Sequence, residues 1–183
     1  MTQTILKEPF LTTNIAMKGL IFDLDLTLVD STIAEEARSR RDWQRVYSLI
    51  PQFRLYPGMD EVFRRIRSNR HSVLVAIVST APSTYVGRVV DYFNIPVDTI
   101  VGYHDAARKP SPAGMILAMQ RMGTTPNDTI SYGDRAIDIQ ASNAAGIQSV
   151  ACMWGSKESS LLLSSHPSQV IYSPSEITLD FLR

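Results

Sequence analysis

The sequence predicts an α/β fold: a doubly wound parallel sheet with helices on both faces. Two observations carry this. Short apolar runs alternate with longer segments of helical pattern along the chain, which is the order that builds a parallel sheet from strand, crossover helix and strand. Reactive polar residues also stand at the end of one apolar run after another: Asp23 and Asp25 after Leu20-Ile21-Phe22, Ser79-Thr80 after Val75-Ala76-Ile77-Val78, Lys109-Pro110 beyond Thr99-Ile100-Val101-Gly102, and Gly133-Asp134 after Thr129-Ile130-Ser131-Tyr132. Right-handed crossovers put all strand C-termini on one edge, where a crevice opens at the point of strand-order reversal.

In chain order, the first strand is expected near 18–24. Residues 33–49 read as one amphipathic helix, with Ala34, Ala37, Val46 and Ile50 on its buried side; the basic run Arg38 to Arg45 reads first as its solvated face and second as a patch that steers an anionic substrate. Pro57-Gly58 punctuates the chain before a helix near 58–69. A strand near 73–78, a helix near 83–93 and a strand near 98–101 follow. Pro110-Ser111-Pro112 opens a helix near 112–121, since proline suits a first helical turn. A strand near 128–132, a helix near 135–144, a strand near 147–151 and a helix near 157–163 complete the alternation. Val170-Ile171-Tyr172 adds an edge strand, and Ser175-Glu176 begins a final helix through Leu182. No internal repeat or low-complexity tract interrupts this order.

Composition narrows the function classes. The 183 residues amount to about one domain, enough for a sizeable core. Lys plus Arg and Asp plus Glu number 18 each, so bulk charge gives no attraction to nucleic acid or an anionic membrane. Cys152 is the single cysteine and lies in an apolar stretch, which excludes an intrachain disulfide and fits a buried, inert thiol in a reducing compartment. Residues 1–16 carry Lys7, Glu8 and Pro9 among short apolar groups, unlike the unbroken core of a signal peptide. They read as an extension, a flexible arm or an oligomer contact, ahead of a single domain over 17–183. With no apolar run of about eighteen residues to span a bilayer, a cytoplasmic protein is expected.

The run Leu24-Asp25-Leu26-Thr27 continues from Asp23 without a break. Alternation along a strand would place Asp23 and Asp25 on one side, but at a strand end the chain turns and aims them separately. An aspartate there also serves as a helix cap or turn residue. The order of the four polar groups is what sets the pair apart, for DLDLT (23–27), VAIVST (75–80), RKPSP (108–112) and GDRAID (133–138) together resemble the motifs of the haloacid dehalogenase superfamily of aspartate-dependent phosphohydrolases. The resemblance runs from Lys18 to about Trp154.

That resemblance implies a central first strand, with the second and third strands on one side and the fourth and fifth on the other. It implies a magnesium-dependent phosphomonoesterase in which Asp23 is the nucleophile that forms an aspartyl-phosphate. Mg2+ would be held by Asp23, the backbone carbonyl of Asp25, and Asp134. Asp25 would be the general acid and then the general base; dehalogenases of the family lack this second acid. Lys109 would neutralise charge on the nucleophile and the phosphoryl group, and Ser79, preferred over Thr80, would bind a phosphate oxygen. Gly133 permits the tight turn, Asp138 supports the site or pairs with Arg135, and Thr27 orients the loop or makes a plain turn hydrogen bond.

The chain departs from the family in one respect. Many members insert a helical cap of several dozen residues between the first two motifs, whereas here a short segment of about 31–56 fills that place. The pocket is therefore expected to be open to a bulky phosphorylated substrate or closed by a neighbouring subunit, with Trp43 as a candidate plug for the subunit contact. A phosphomutase, and a non-catalytic phosphate-binding or assembly module, are the rival readings.

Overall fold

The computed structural model describes residues 17–179; the 1–16 extension lies outside them. Its centre is a six-stranded parallel sheet built from β1 (Lys18–Phe22), β4 (Val73–Val78), β5 (Thr99–Val101), β6 (Thr129–Gly133), β7 (Gln148–Cys152) and β8 (Gln169–Ile171), in the spatial order β5-β4-β1-β6-β7-β8. β1 is central, flanked in parallel by β4 and β6. The chain fills one side, then crosses back past β1 to fill the other, so strand order reverses beside the end of β1.

Both faces of the sheet are covered. Leu20 and Phe22 point into one apolar layer with Met59, Val62, Phe63 and Ile66 of α3 (Met59–Ser68) and Tyr85, Val86 and Val89 of α4 (Ser83–Phe93). Ile21, between them in sequence, points into the other layer with Met115, Ala118, Met119 and Met122 of α5 (Ala113–Met122). The spacing of 59, 62, 63 and 66 is that of one helix face, and the alternation of 20, 21 and 22 that of a strand buried on both sides. α6 (Ala136–Ala144) and α7 (Ser159–Ser164) complete the helices around β6 and β7. Burying each large aliphatic side chain contributes about 1.5–3 kcal/mol, which makes β1 the best anchored element of the site.

Three expected elements differ. β1 stops at Phe22 rather than running to residue 24. The Asp23 N–H still donates to the Tyr132 carbonyl at 2.9 Å, but the chain then curls through a left-handed Leu26 (φ 66°), with the Leu28 N–H returning to the Leu24 carbonyl at 3.0 Å.

The single helix expected over 33–49 is divided into a 3₁₀ turn (Thr32–Ala34), α1 (Glu35–Ser39) and α2 (Trp43–Leu49). Asp42 accepts the Arg45 N–H at 3.0 Å, and an aspartate is worth more as a cap than inside a helix. Arg41, just before it, is left-handed at φ 57°. A two-residue ribbon, β2 (Val29–Asp30) against β3 (Arg54–Leu55), closes this segment at its base.

The final helix expected from Ser175 is, over the described residues, only a 3₁₀ turn (Pro174–Glu176). Ile177 leaves it in extended conformation and is buried in the first apolar layer, so the chain is drawn inward before a second turn can form. Residues 180–182 of that expected helix lie outside the described residues.

Cys152 is buried and free, and burial pushes its thiol well above the ordinary value. Among the described residues no helix is long and apolar enough to cross a membrane.

Candidate active site

Four strand ends bring the expected residues to one cavity of about 730 Å³, lined among others by Asp23, Asp25, Ser79, Thr80, Lys109, Asp134 and Asp138. At its floor the Lys109 ammonium donates to Asp23 Oδ1 at 2.7 Å and to the Val78 carbonyl at 2.8 Å, and pairs with Asp138 Oδ1 at 2.6 Å. Asp138 therefore faces Lys109 rather than the Arg135 guanidinium, while its other oxygen accepts the Arg135 backbone N–H at 3.0 Å. Gly133 makes room for this: a Cβ there would stand 2.4 Å from that of Asp138.

Thr27 reaches across the fold, its hydroxyl donating to Asp134 Oδ1 at 2.7 Å. Its role is thus more than a turn bond. The loop that carries it is fastened from β7's side by Trp154, whose indole N–H donates to the Thr27 carbonyl at 3.0 Å. It is also fastened by Gly155, where any Cβ would fall 1.7 Å from the Leu26 carbonyl oxygen.

The electrostatics of the floor are unbalanced. Oxygens of Asp23, Asp134 and Asp138 lie within 4.8 Å of one another, and among the described residues Lys109 is the one cation in ion-pair contact with them. Burial, and then the neighbouring carboxylates, push Asp134 up to about 8. Burial raises Asp23 to about 7 although Lys109 pulls the other way. For Lys109 burial works against the charge, but Asp138 and Asp23 outweigh it and hold the amine above the ordinary lysine value. Asp134 Oδ2 is buried with no hydrogen-bond partner among the described residues. A buried carboxylate oxygen without a donor is costly. Three crowded carboxylates with one ammonium, one of them presenting a bare oxygen, fit a hard divalent cation such as Mg2+.

Asp25 belongs to a separate cluster. Its Oδ1 accepts from Ser31 Oγ, from Arg38 Nη1 and from the Tyr85 hydroxyl, each at 2.6 Å. Burial, then the Asp25 charge, raise the Tyr85 phenol beyond its ordinary value, so it stays protonated and donates. The tight curl after β1 thus aims the two carboxylates apart, Asp23 to the floor and Asp25 to the segment above it. Ser79 and Thr80 both line the cavity; Ser79 Oγ accepts the Ala81 N–H at 3.1 Å and keeps its own proton to donate.

Arg38 and Tyr85 are the residues that sequence reasoning missed as partners of Asp25. Arg38 sits in a run that reads as solvated, and Tyr85 in an ordinary helix face. The one available signal was that Arg38 stands four residues after Ala34, beside the side of the segment expected to be buried, where a guanidinium needs an acid. Trp43 packs on Tyr85 with ring centroids 5.7 Å apart. Lys157 pairs with Glu35, tying α1 to the loop after β7 across the mouth of the cavity.

Comparison with known proteins places this geometry. The family model described as haloacid dehalogenase-like hydrolase matches residues 35–152. A phosphoglycolate phosphatase from Pseudomonas putida is 29% identical over 158 residues, covering 84% of this chain and 57% of that protein. The chain spans a little over half the length of the curated relatives it matches. Among solved structures, a haloacid dehalogenase-like family hydrolase from Streptococcus pneumoniae aligns with a TM-score of 0.75 at 21% identity, over 91% of this chain and 99% of that one. CbbY from Rhodobacter sphaeroides, solved in complex with phosphate, aligns with a TM-score of 0.75 at 17% identity over 91% and 99%.

Proposed function

The chain belongs to the haloacid dehalogenase-like hydrolase family, and on that footing we propose that it is a Mg2+-dependent phosphomonoesterase working through an aspartyl-phosphate on Asp23. The observation that carries this reading is the floor of the cavity, where Asp23 stands against Lys109 while Asp134 presents an unpartnered buried oxygen beside it. Asp23 and Asp134, with the Asp25 backbone carbonyl, would hold the ion, which supplies charge neutralisation for an incoming phosphate. Asp138 is read as support, since it keeps Lys109 in place.

In the first half-reaction an Asp23 oxygen forms a bond to phosphorus, the bond from phosphorus to the ester oxygen breaks, and Asp25 gives that oxygen its proton. In the second, water forms the new bond to phosphorus, Asp25 takes the proton from water, and the bond to Asp23 breaks. Ser79, with Thr80 beside it, offers a hydroxyl to a phosphoryl oxygen, and Lys109 offsets the negative charge. In the described arrangement the contacts from Arg38, Tyr85 and Ser31 all go to Asp25 Oδ1, which leaves Oδ2 to carry the proton to and from the reacting oxygen. A phosphorylated substrate of some size suits the cavity volume.

The test is hydrolysis of a generic aryl phosphate with Mg2+. The protein is expected to turn it over and Asp23→Asn to lose at least about four orders of magnitude in kcat. Equal rates in the two proteins would overturn the assignment of Asp23.

A further inference from the structure

The same cavity changes sign between floor and rim. Below, carboxylates outnumber the one ammonium that touches them. Above, the ring of Tyr103 carries two guanidinium groups, Arg41 at 5.8 Å and Arg108 at 5.1 Å from its centroid. All three residues line the cavity. Among the described residues neither arginine forms an ion pair with a carboxylate. Asp105, the nearest acid in sequence to Tyr103 and Arg108, is already engaged by the Ser83 hydroxyl and the Gly102 N–H, both at 2.8 Å, and by Arg121.

Two like charges on one aromatic ring, with no counter-ion, repel each other at a cost that an incoming anion would remove. Stacking on the ring also fixes the planar donors in advance, so less freedom is lost when they bind. The backbone contributes as well. Arg41 is in the left-handed region at φ 57°, a conformation that costs energy for a residue with a side chain and that recurs at ligand-binding positions. Arg108 and Lys109 are adjacent yet have opposite fates: Lys109 is buried against Asp23, and Arg108 is exposed over Tyr103. The two neighbours therefore face different partners, Lys109 the carboxylates of the floor and Arg108 the ring at the rim.

We propose that Arg41 and Arg108, braced on Tyr103, form a subsite for a second anionic group, a carboxylate or phosphate, on the leaving portion of the substrate. This rests on the phosphomonoesterase reading and names its substrate class: phosphate esters with a second negative charge remote from the scissile bond. Arg41 comes from the break between α1 and α2, and Tyr103 with Arg108 from the loop after β5, so the short segment replacing a full cap supplies half of the subsite.

The experiment measures binding, with Mg2+ present, of phosphonates that cannot be hydrolysed: a series of ω-phosphonocarboxylates with one to six methylenes between the groups, each against the alkylphosphonate of equal length. At one or more of the spacer lengths the carboxylated compound is expected to bind about tenfold more tightly, an advantage that shrinks as salt is added. In Arg41→Gln with Arg108→Gln the ratio is expected to fall to near one. Because the ratio is read within each protein, a general loss of folding does not imitate the effect, and Arg41→Gln alone, on a loop apart from Lys109, should lower the ratio in the same direction. A ratio near one at every length in the unaltered protein, or one that survives in the double variant, overturns the subsite. If aryl phosphate turnover persists alongside such a result, the phosphatase reading stands without it. Failure to bind any phosphonate, together with no aryl phosphate turnover, removes both.

Discussion

The floor and the rim of one cavity are built on opposite principles. The floor is gathered where strands end: Asp23 and Asp134 directly follow β1 and β6, Asp138 stands in the first turn of α6, and Lys109 reaches in, buried, from the loop after β5, all held within hydrogen-bond or ion-pair distance of one another or of Thr27. The rim is made by loops and by the divided segment above them, and its charged groups are exposed, stacked or paired across breaks in the chain. Rigid elements fix geometry to the tolerance that bond-making needs, whereas loops vary what is bound. Excess carboxylate below and excess arginine above also divide the labour, a cation for one and an anion for the other.

The contrast predicts that damage to the floor costs most. Lys109→Met removes the counter-ion of two buried carboxylates. Without added metal this should destabilise the protein by about 3–5 kcal/mol, the usual result of stranding a buried charge, and aryl phosphate turnover should fall by about three orders of magnitude. Denaturant unfolding and steady-state rates read the two effects. A variant that is as stable as the parent in metal-free buffer would mean that the floor is not the strained, negative site described.

A smaller effect comes from pH. Asp23 and Asp134 have their pKa raised from 3.8 to about 7 and about 8, so between pH 4 and 8 the folded chain keeps protons that the unfolded chain has lost. Stability of the metal-free protein should therefore fall as pH rises through that window. Mg2+, which favours the ionised carboxylates, should flatten the slope. Urea midpoints at pH 5 and pH 8, with and without Mg2+, check the sign; a metal-free midpoint that rises with pH would contradict it.

Smallest is the change on the rim side. Tyr85→Phe keeps the buried ring and its contact with Trp43 but removes one donor to Asp25. It should cost about 1–2 kcal/mol of stability, measured by the same unfolding, and leave Asp25 with Ser31 and Arg38. A loss as large as that of Lys109→Met would erase the distinction between the two regions.

What could be read from the sequence follows the same division. Strand ends with reactive residues are legible because strand periodicity and the parallel topology together fix where Asp23, Ser79, Lys109 and Asp134 must go. The strand order follows from the family resemblance and holds in the structure. The ion pair of Asp25 with Arg38 was not legible, since it depends on where the segment after β2 folds back, and a single arginine in a basic run carries no mark of its partner. The break at Arg40 to Asp42 is made by Asp42 capping α2, whereas the apolar spacing on either side favours one helix. The Arg41–Tyr103–Arg108 stack joins loops 62 residues apart between its first two members, a separation no local pattern spans.

The most direct test of the floor as a divalent cation site is calorimetric titration of Mg2+ into the protein and into Asp134→Asn at neutral pH. The geometry predicts one Mg2+ bound per chain at millimolar concentration or tighter, and binding lost or weakened at least about tenfold in the variant. Absence of Mg2+ binding by the unaltered protein, or undiminished binding by Asp134→Asn, would contradict it.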